Sequence, residues 1–263
     1  MRRVCDKFSE CSSYVKRWID KQSEVKEESL TDWLLFNLSE KLPNVRYKQF
    51  SRTEEGRKTG ADWEWWFVFS DNESFTARVQ AKKLKSSVDN YGGLAYTRNG
   101  KLQIERLIED SELEGYASFY AFYSTESGKK SLCKGKLGLD GVFWAEAHKL
   151  KTEFIDSGRK KLQANDILKF ATPLSCLFCC PVSGFSKKEF QGYLERYFPS
   201  YSTMNKQNIY DNGEPLGFGI TPDHIKRLLS ENEIPDWWDK EYRLQNTNSI
   251  LVIDFRGFHG KYE

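Results

Sequence analysis

The sequence predicts an α/β protein, with elements ordered helix, three strands, helix, strand and then a mostly helical carboxy-terminal elaboration. Three observations predict it. Leu30, Trp33, Leu34, Leu38 and Leu42 recur at helical spacing, and Pro43 stops that helix. Three strand-like segments follow, VRYKQF (45–50), ADWEWWFVFS (61–70) and SFTARVQAKKL (74–84). LQIERLIEDSEL (102–113) then reads as an amphipathic helix, and YASFYAFYS (116–124) as a buried aromatic strand.

The bulk properties agree with a folded chain. Of 263 residues, 15% are aromatic, enough bulky surface to build a core despite 30% charged residues. Lys and Arg number 40 against 38 Asp and Glu, a net charge of +2. The overall field therefore announces no polyanion, and any nucleic-acid contact must come from a local cluster. No apolar run approaches the roughly 18 residues of a spanning helix, and MRRVCDKFSECSSY lacks the hydrophobic core of a signal peptide. The six cysteines are accordingly expected as thiols in a reducing cytoplasm.

Residues 1–27 read as a charged helix with Tyr14, Val15 and Trp18 as an apolar stripe. Beyond residue 124, VFWAEAHKLKTEF and ANDILKF read as helices and LSCLFCCP as a short buried strand. KKEFQGYLERYF and TPDHIKRLLSENEIPDWW read as helices, and SILVIDF as a strand. The expected division is a core over 25–183 and an elaboration over 184–263 packed on the same domain, with a soft boundary in 183–186.

The polar residues of the hairpin carry the chemistry. With a three-residue turn at 71–73, Asp62 opposes Lys82 and Glu64 opposes Gln80. Strand side chains alternate, so these four share one face while Trp63, Trp65, Phe67, Val79 and Ala81 take the other. Directly opposed Cβ atoms lie roughly 4.5–5.5 Å apart, close enough for one small site. Phosphodiester hydrolysis needs a hard cation, an activated water and positive charge at the phosphate. Asp62, the Gln80 amide oxygen and the Ala81 carbonyl suit Mg²⁺, with Mn²⁺ as a substitute, and Lys82 supplies the charge. A plain Asp62–Lys82 cross-strand ion pair is the structural alternative. Glu64 serves equally as a partner for Arg78 or Lys82.

Gly60-Ala61-Asp62, then 17 residues (63–79), then Gln80-Ala81-Lys82 resembles the PD-(D/E)xK, or restriction-endonuclease-like, nucleases, and more closely the Mrr-type enzymes with Gln-x-Lys. The likeness spans residues 25–123. It implies a restriction-endonuclease-like αβββαβ core with a mixed central sheet flanked by helices. It also implies Mg²⁺-dependent cleavage of nucleic acid, DNA favoured over RNA, in restriction or antiphage defence. An acidic residue on the helix before the first strand completes such sites; Glu28 best matches that place, with Glu27 the close alternative. Two departures stand out: Gln80 replaces an acid, and Ala61 stands where the eponymous proline would be. A catalytically silent module binding nucleic acid or a protein is the rival on the same fold. Double-strand cleavage usually needs two sites, so a homodimer or a partner defence protein is also implied.

Gln103 and Arg106 share a helix face that packs beside such a site, where Gln103 touches substrate and Arg106 is the more solvated. Lys83, with Lys82, Lys85, Tyr91 and Tyr96, forms a basic and aromatic stretch suited to a phosphate backbone. Cys176-x-x-Cys179-Cys180 invites zinc, but only Cys133 lies near enough to add a ligand, so buried thiols are favoured.

Overall fold

The computed structural model describes residues 2–50, 60–84, 94–98, 100–126, 131–133, 138–159, 162–180, 185–198, 215–231 and 247–256. Two helices, α1 (Arg2–Lys21) and α2 (Glu27–Lys41), precede β1 (Val45–Gln49), β2 (Trp63–Ser70) and β3 (Glu73–Leu84). Short β4 (Thr97–Arg98) and β5 (Lys101–Leu102) pair with each other and lead into α3 (Gln103–Leu113) and β6 (Ala117–Ser124). β7 (Val142–Glu146), α4 (Ala147–Leu150) continued by a π-helical turn over Lys151–Asp156, α5 (Ala164–Leu168), β8 (Ala171–Pro173) and α6 (Cys176–Cys179) follow. α7 (Lys187–Tyr197), β9 (Phe218–Gly219), α8 (Asp223–Ser230) and β10 (Ser249–Asp254) complete the described elements.

These strands form one mixed sheet in the order β1-β10-β2-β3-β6-β7-β8, with β9 beside β3. β10 runs parallel to β2 and β3 runs parallel to β6, while the other neighbours are antiparallel. Alternation along β2 and β3 splits their side chains between two layers, as the pattern predicted. Trp63, Trp65, Phe67, Ala77, Val79 and Ala81 pack with α1, α2, α6 and α7. On the opposite face α3, α4 and α5 bury Ile104, Leu107, Leu150 and Ile167 against Tyr120, Phe122 and Phe143. The protein is thus α/β with helices on both sides of a mixed sheet. Among the described residues no helix is long and apolar enough to cross a membrane.

Several expectations change. The hairpin turns at Asp71-Asn72 and carries a register shift between Val68 and Ser70, so Glu64 faces Arg78 and not Gln80. The Asp62 N–H reaches the Val79 carbonyl at 2.8 Å, which brings Asp62 against Gln80 and not Lys82. The displacement is by an even number of positions, so the polar residues keep their common face. VFWAE is strand β7 and only the following residues are helical; its five residues are all buried, and a short buried run looks alike in either state. LSCLFCCP fails the same way in reverse: Cys176–Cys179 is one helical turn.

The carboxy-terminal elaboration is not peripheral. β10 inserts between β1 and β2, so a cut at 183/184 would divide one sheet. The cysteines are not all thiols either: Cys5 and Cys179 form a disulfide across 174 residues of sequence, where α1 packs on α6. A buried polar network holds the same corner. Ser12 Oγ accepts the Gly141 and Val142 N–H groups at 3.0 and 3.1 Å, and Ser175 Oγ donates to Asp140 Oδ1 at 2.7 Å.

Candidate active site

β3 continues past the start of β2, and the step between them makes the site. In an antiparallel ladder the N–H and C=O of one residue point to the same side. Beyond the Trp63↔Val79 pair, the side of Ala81 that would meet β2 instead meets the Asp62 side chain. Asp62 Oδ2 accepts the Ala81 N–H at 2.7 Å and the Gln80 Nε2 at 2.5 Å. Its other oxygen, Oδ1, has no hydrogen bond among the described residues. Asp62 and Ala81 then line a cavity of about 40 Å³ together with Glu27, Glu28, Thr31, Asp32, Gln49, Asn248 and Ser249.

Gly60 sets the entry into this step. Its φ is +72°, and a Cβ there would lie 3.0 Å from the Gln103 carbonyl oxygen and 3.3 Å from the Leu107 nitrogen at the start of α3. Left-handed backbone and close approach both demand glycine. Gly60→Ala is therefore expected to cost about 1–2 kcal/mol of stability. A urea midpoint unchanged from wild type would contradict this account of the Gly-x-Asp spacing.

α2 brings its first turn to the opposite wall. Of the two candidate acids, Glu27 is the one tied to the strand: its Oε2 accepts the Lys83 N–H at 2.6 Å, and its Oε1 lies 3.8 Å from Lys82 Nζ. Glu28, the favoured choice from sequence, lines the cavity without those contacts. Helical spacing alone could not separate adjacent residues of one first turn. Thr31, one turn further on, anchors the helix through a 2.8 Å hydrogen bond with Tyr123 of β6.

The electrostatics are short of positive charge. Burial pushes Asp62 up to about 7; the Ala81 N–H and Lys82 oppose this, and Glu27 and Glu28 reinforce it. Burial also raises Glu27, against the pull of Lys82 and the Lys83 N–H. Asp62, Glu27, Glu28 and Asp32 gathered on one cavity, against the charges of Lys82 and Lys83, form a place where a cation is favoured. Among the described residues no group of three or more His, Cys, Asp or Glu converges into a ligand set. Mg²⁺ does not require one, since it commonly keeps waters and takes one or two carboxylates. Asp62, Glu27, Glu28 and Ala81 all line this cavity and carry hard oxygen donors, so the residues fit that ion.

The remaining sequence candidates divide. Gln80 does not turn its amide oxygen to the cavity: Oε1 accepts from Gln103 Nε2 at 2.6 Å, while Nε2 serves Asp62 and the Ala81 carbonyl. Gln103 is thus a support for Gln80, with its own Oε1 buried and unpartnered. Lys83 is a structural residue, its Nζ donating to the Ser23 and Val25 carbonyls at 2.7 and 2.5 Å and closing the α1–α2 connection. Glu64 is fully buried on Arg78 Nε at 3.2 Å and is no ligand. Lys85 and Tyr91 lie outside the described residues, and Tyr96 is exposed. Of the three cysteines expected as buried thiols, Cys176 and Cys180 are buried and free, whereas Cys179 is consumed by the disulfide with Cys5. Asn248 and Ser249 were missed altogether. Asn248 N–H donates to the Asp62 carbonyl at 3.2 Å, a consequence of the β10 insertion that no local sequence signal carries.

The model of a family of unknown function, DUF6615, matches residues 4–256. No curated protein matches the chain.

Proposed function

The chain belongs to DUF6615, a family of unknown function, and we propose that it is a metal-dependent nuclease with a restriction-endonuclease-like core made of α2, β1–β3, α3 and β6. The observation that carries this reading is Asp62, whose Oδ1 has no hydrogen bond among the described residues, on a cavity walled by Glu27 and Glu28, with Lys82 within 3.8 Å of Glu27. Mg²⁺ bound there would supply Lewis-acid activation of a phosphodiester and of its attacking water. Asp62 is the central ligand, held by the Ala81 N–H. Glu27 and Glu28 share the outer ligand and water-orienting roles. Lys82 offers positive charge to the phosphate as negative charge grows on it. DNA is the favoured substrate, because the Gly-x-Asp and Gln-x-Lys motifs most resemble DNA-cleaving enzymes.

The test incubates wild type and Asp62→Asn with plasmid, single-stranded DNA and RNA in Mg²⁺, Mn²⁺ or EDTA. Cleavage of DNA by wild type with metal, lost in EDTA and in Asp62→Asn, is expected. Cleavage that survives both would sink the reading. The pH dependence follows from the Asp62 carboxyl. A metal ligand must be ionised, so metal affinity is expected to fall as pH drops below about 7, by up to roughly tenfold per unit, and to flatten above it. Isothermal titration with Mn²⁺ from pH 6 to 8 reads this directly, and an affinity constant over that range would contradict it.

One observation favours the second reading, a silent module that binds nucleic acid or a protein. Gln80 presents an amide N–H to Asp62 where a working site of this kind would present an oxygen. On that reading no Mg²⁺ or Mn²⁺ binding depends on Asp62, and the same titration separates the two.

A further inference from the structure

α6 carries a second pair of sulfurs in contact. Cys176 Sγ donates to Cys133 Sγ at 2.7 Å, across 43 residues of sequence. That separation lies well inside the roughly 3.5–4.0 Å at which even non-bonded carbons rest, and sulfur is the larger atom. It approaches the covalent S–S distance of about 2.0 Å. Cys179, one turn along the same helix, is already joined to Cys5. Cys180 Sγ instead meets the Tyr197 hydroxyl at 3.2 Å, and Cys11 is buried in α1. Outside the disulfide, Cys133 and Cys176 are two cysteines whose sulfurs meet at bonding range.

We propose that Cys133 and Cys176 form a thiol–disulfide exchange site, which takes a small disulfide such as oxidised glutathione and closes into a second, reversible disulfide of this chain. Exposure assigns the order of events: Cys133 is partly exposed and Cys176 is buried. The Cys133 thiolate attacks one sulfur of the small disulfide, forming a mixed disulfide and breaking the reagent's S–S bond. One half of the reagent leaves as a thiol with the proton from Cys133. Cys176 then attacks the Cys133 sulfur, the protein disulfide forms, and the second half leaves with the Cys176 proton. Two electrons pass from the dithiol to the reagent, which ends as two thiols. The shared hydrogen bond and burial hold the Cys176 thiol above its ordinary range, which disfavours it as the first attacking thiolate. Closure would tie the 131–133 segment to α6, beside the link from α6 to α1. This site is separate from the cavity at Asp62 and stands whether or not the nuclease reading holds.

The test equilibrates the full chain in glutathione buffers from reducing to oxidising, quenches in acid, alkylates in denaturant and maps the peptides without reduction. Alkylation of Cys133 and Cys176 is expected to fall together at least tenfold, with a Cys133–Cys176 cross-linked peptide appearing in step. Cys11 and Cys180 stay alkylated throughout. In Cys176→Ser the reaction stops at a Cys133–glutathione adduct. The proposal is overturned if both cysteines remain alkylated in oxidising buffer, if wild type stops at that adduct, or if Cys176 links to another cysteine. The wild-type peptide map decides the matter even where a variant folds poorly.

Discussion

Lys82→Ala is expected to fold, to bind metal at least as well as wild type at a pH high enough to ionise both carboxyls though more weakly near neutrality, and to lose cleavage by roughly 10²–10³-fold or more. The structure separates these outcomes. Lys82 is held by the β3 backbone, paired in register with Phe122 of β6. Among the described residues its side chain makes a single ion pair, with Glu27 at 3.8 Å, and both partners are partly exposed. Such a pair contributes at most about 1 kcal/mol, so the fold survives its loss. Its charge is also one of the influences lowering Asp62 and Glu27 against burial. Without it both carboxyls move further up and the cavity becomes more negative, which favours a divalent ion once they ionise. Only the charge offered to the phosphate disappears. Plasmid nicking measured beside Mn²⁺ titration reads both quantities. A variant that cleaves within a few-fold of wild type would remove Lys82 from the proposed chemistry.

Arg78→Ala is expected to be the most damaging change to stability, by about 3–5 kcal/mol. Arg78 and Glu64 sit opposite each other in the register of β2 and β3, 3.2 Å apart and almost wholly out of solvent. The guanidinium also donates to the Asp110 carbonyl at the end of α3 at 2.7 Å and stacks over Tyr116 at 5.2 Å. Glu64 takes a further hydrogen bond from Trp66 Nε1 at 3.3 Å. Removing the arginine alone strands a buried carboxylate and frees a helix end. Removing both charges, in Arg78→Met with Glu64→Gln, is expected to recover much of the loss, since matched neutral groups avoid the uncompensated charge. Urea denaturation of Arg78→Met, Glu64→Gln and the double variant gives the coupling directly. A single-variant loss under about 1 kcal/mol would show that the pair is solvated.

The two-fold alternation of strands made the polar face legible without any structure, because parity survives an even slip in register. The register itself was not legible: Asp71-Asn72 turns more tightly than the assumed loop, and the irregularity at Val68–Ser70 has no residue signature of its own. Glu64 was therefore set against Gln80 when its partner is Arg78. Local pattern also failed where everything is buried, at Val142–Glu146 and at Cys176–Cys179, since periodicity needs a wet side to be seen. Spacing singled out Asp62, Lys82 and the Ala81 backbone; Asp62 and Ala81 line one cavity, while Lys82 lies 3.8 Å from Glu27 and not opposite Asp62. The choice between Glu27 and Glu28 depended on how the first turn of α2 meets the Lys83 N–H, a tertiary fact. Asn248 and Ser249 lie far along the chain from the hairpin, and only the sheet order places them on the cavity.

That sheet order has a consequence for how the protein comes into being. Ser249–Asp254 fills the gap between Val45–Gln49 and Trp63–Ser70, so these two strands cannot be joined into one sheet until a segment far along the sequence has been synthesised. Until then two long strand edges stand open, each a template for pairing with another chain, and the long separation makes closure slow relative to local contacts. The wall of the cavity formed by Asn248 and Ser249 arrives with the same segment. A growing polypeptide thus holds Asp62 and Lys82 without the finished cleft around them, and whatever the site does begins only once that segment has joined the sheet.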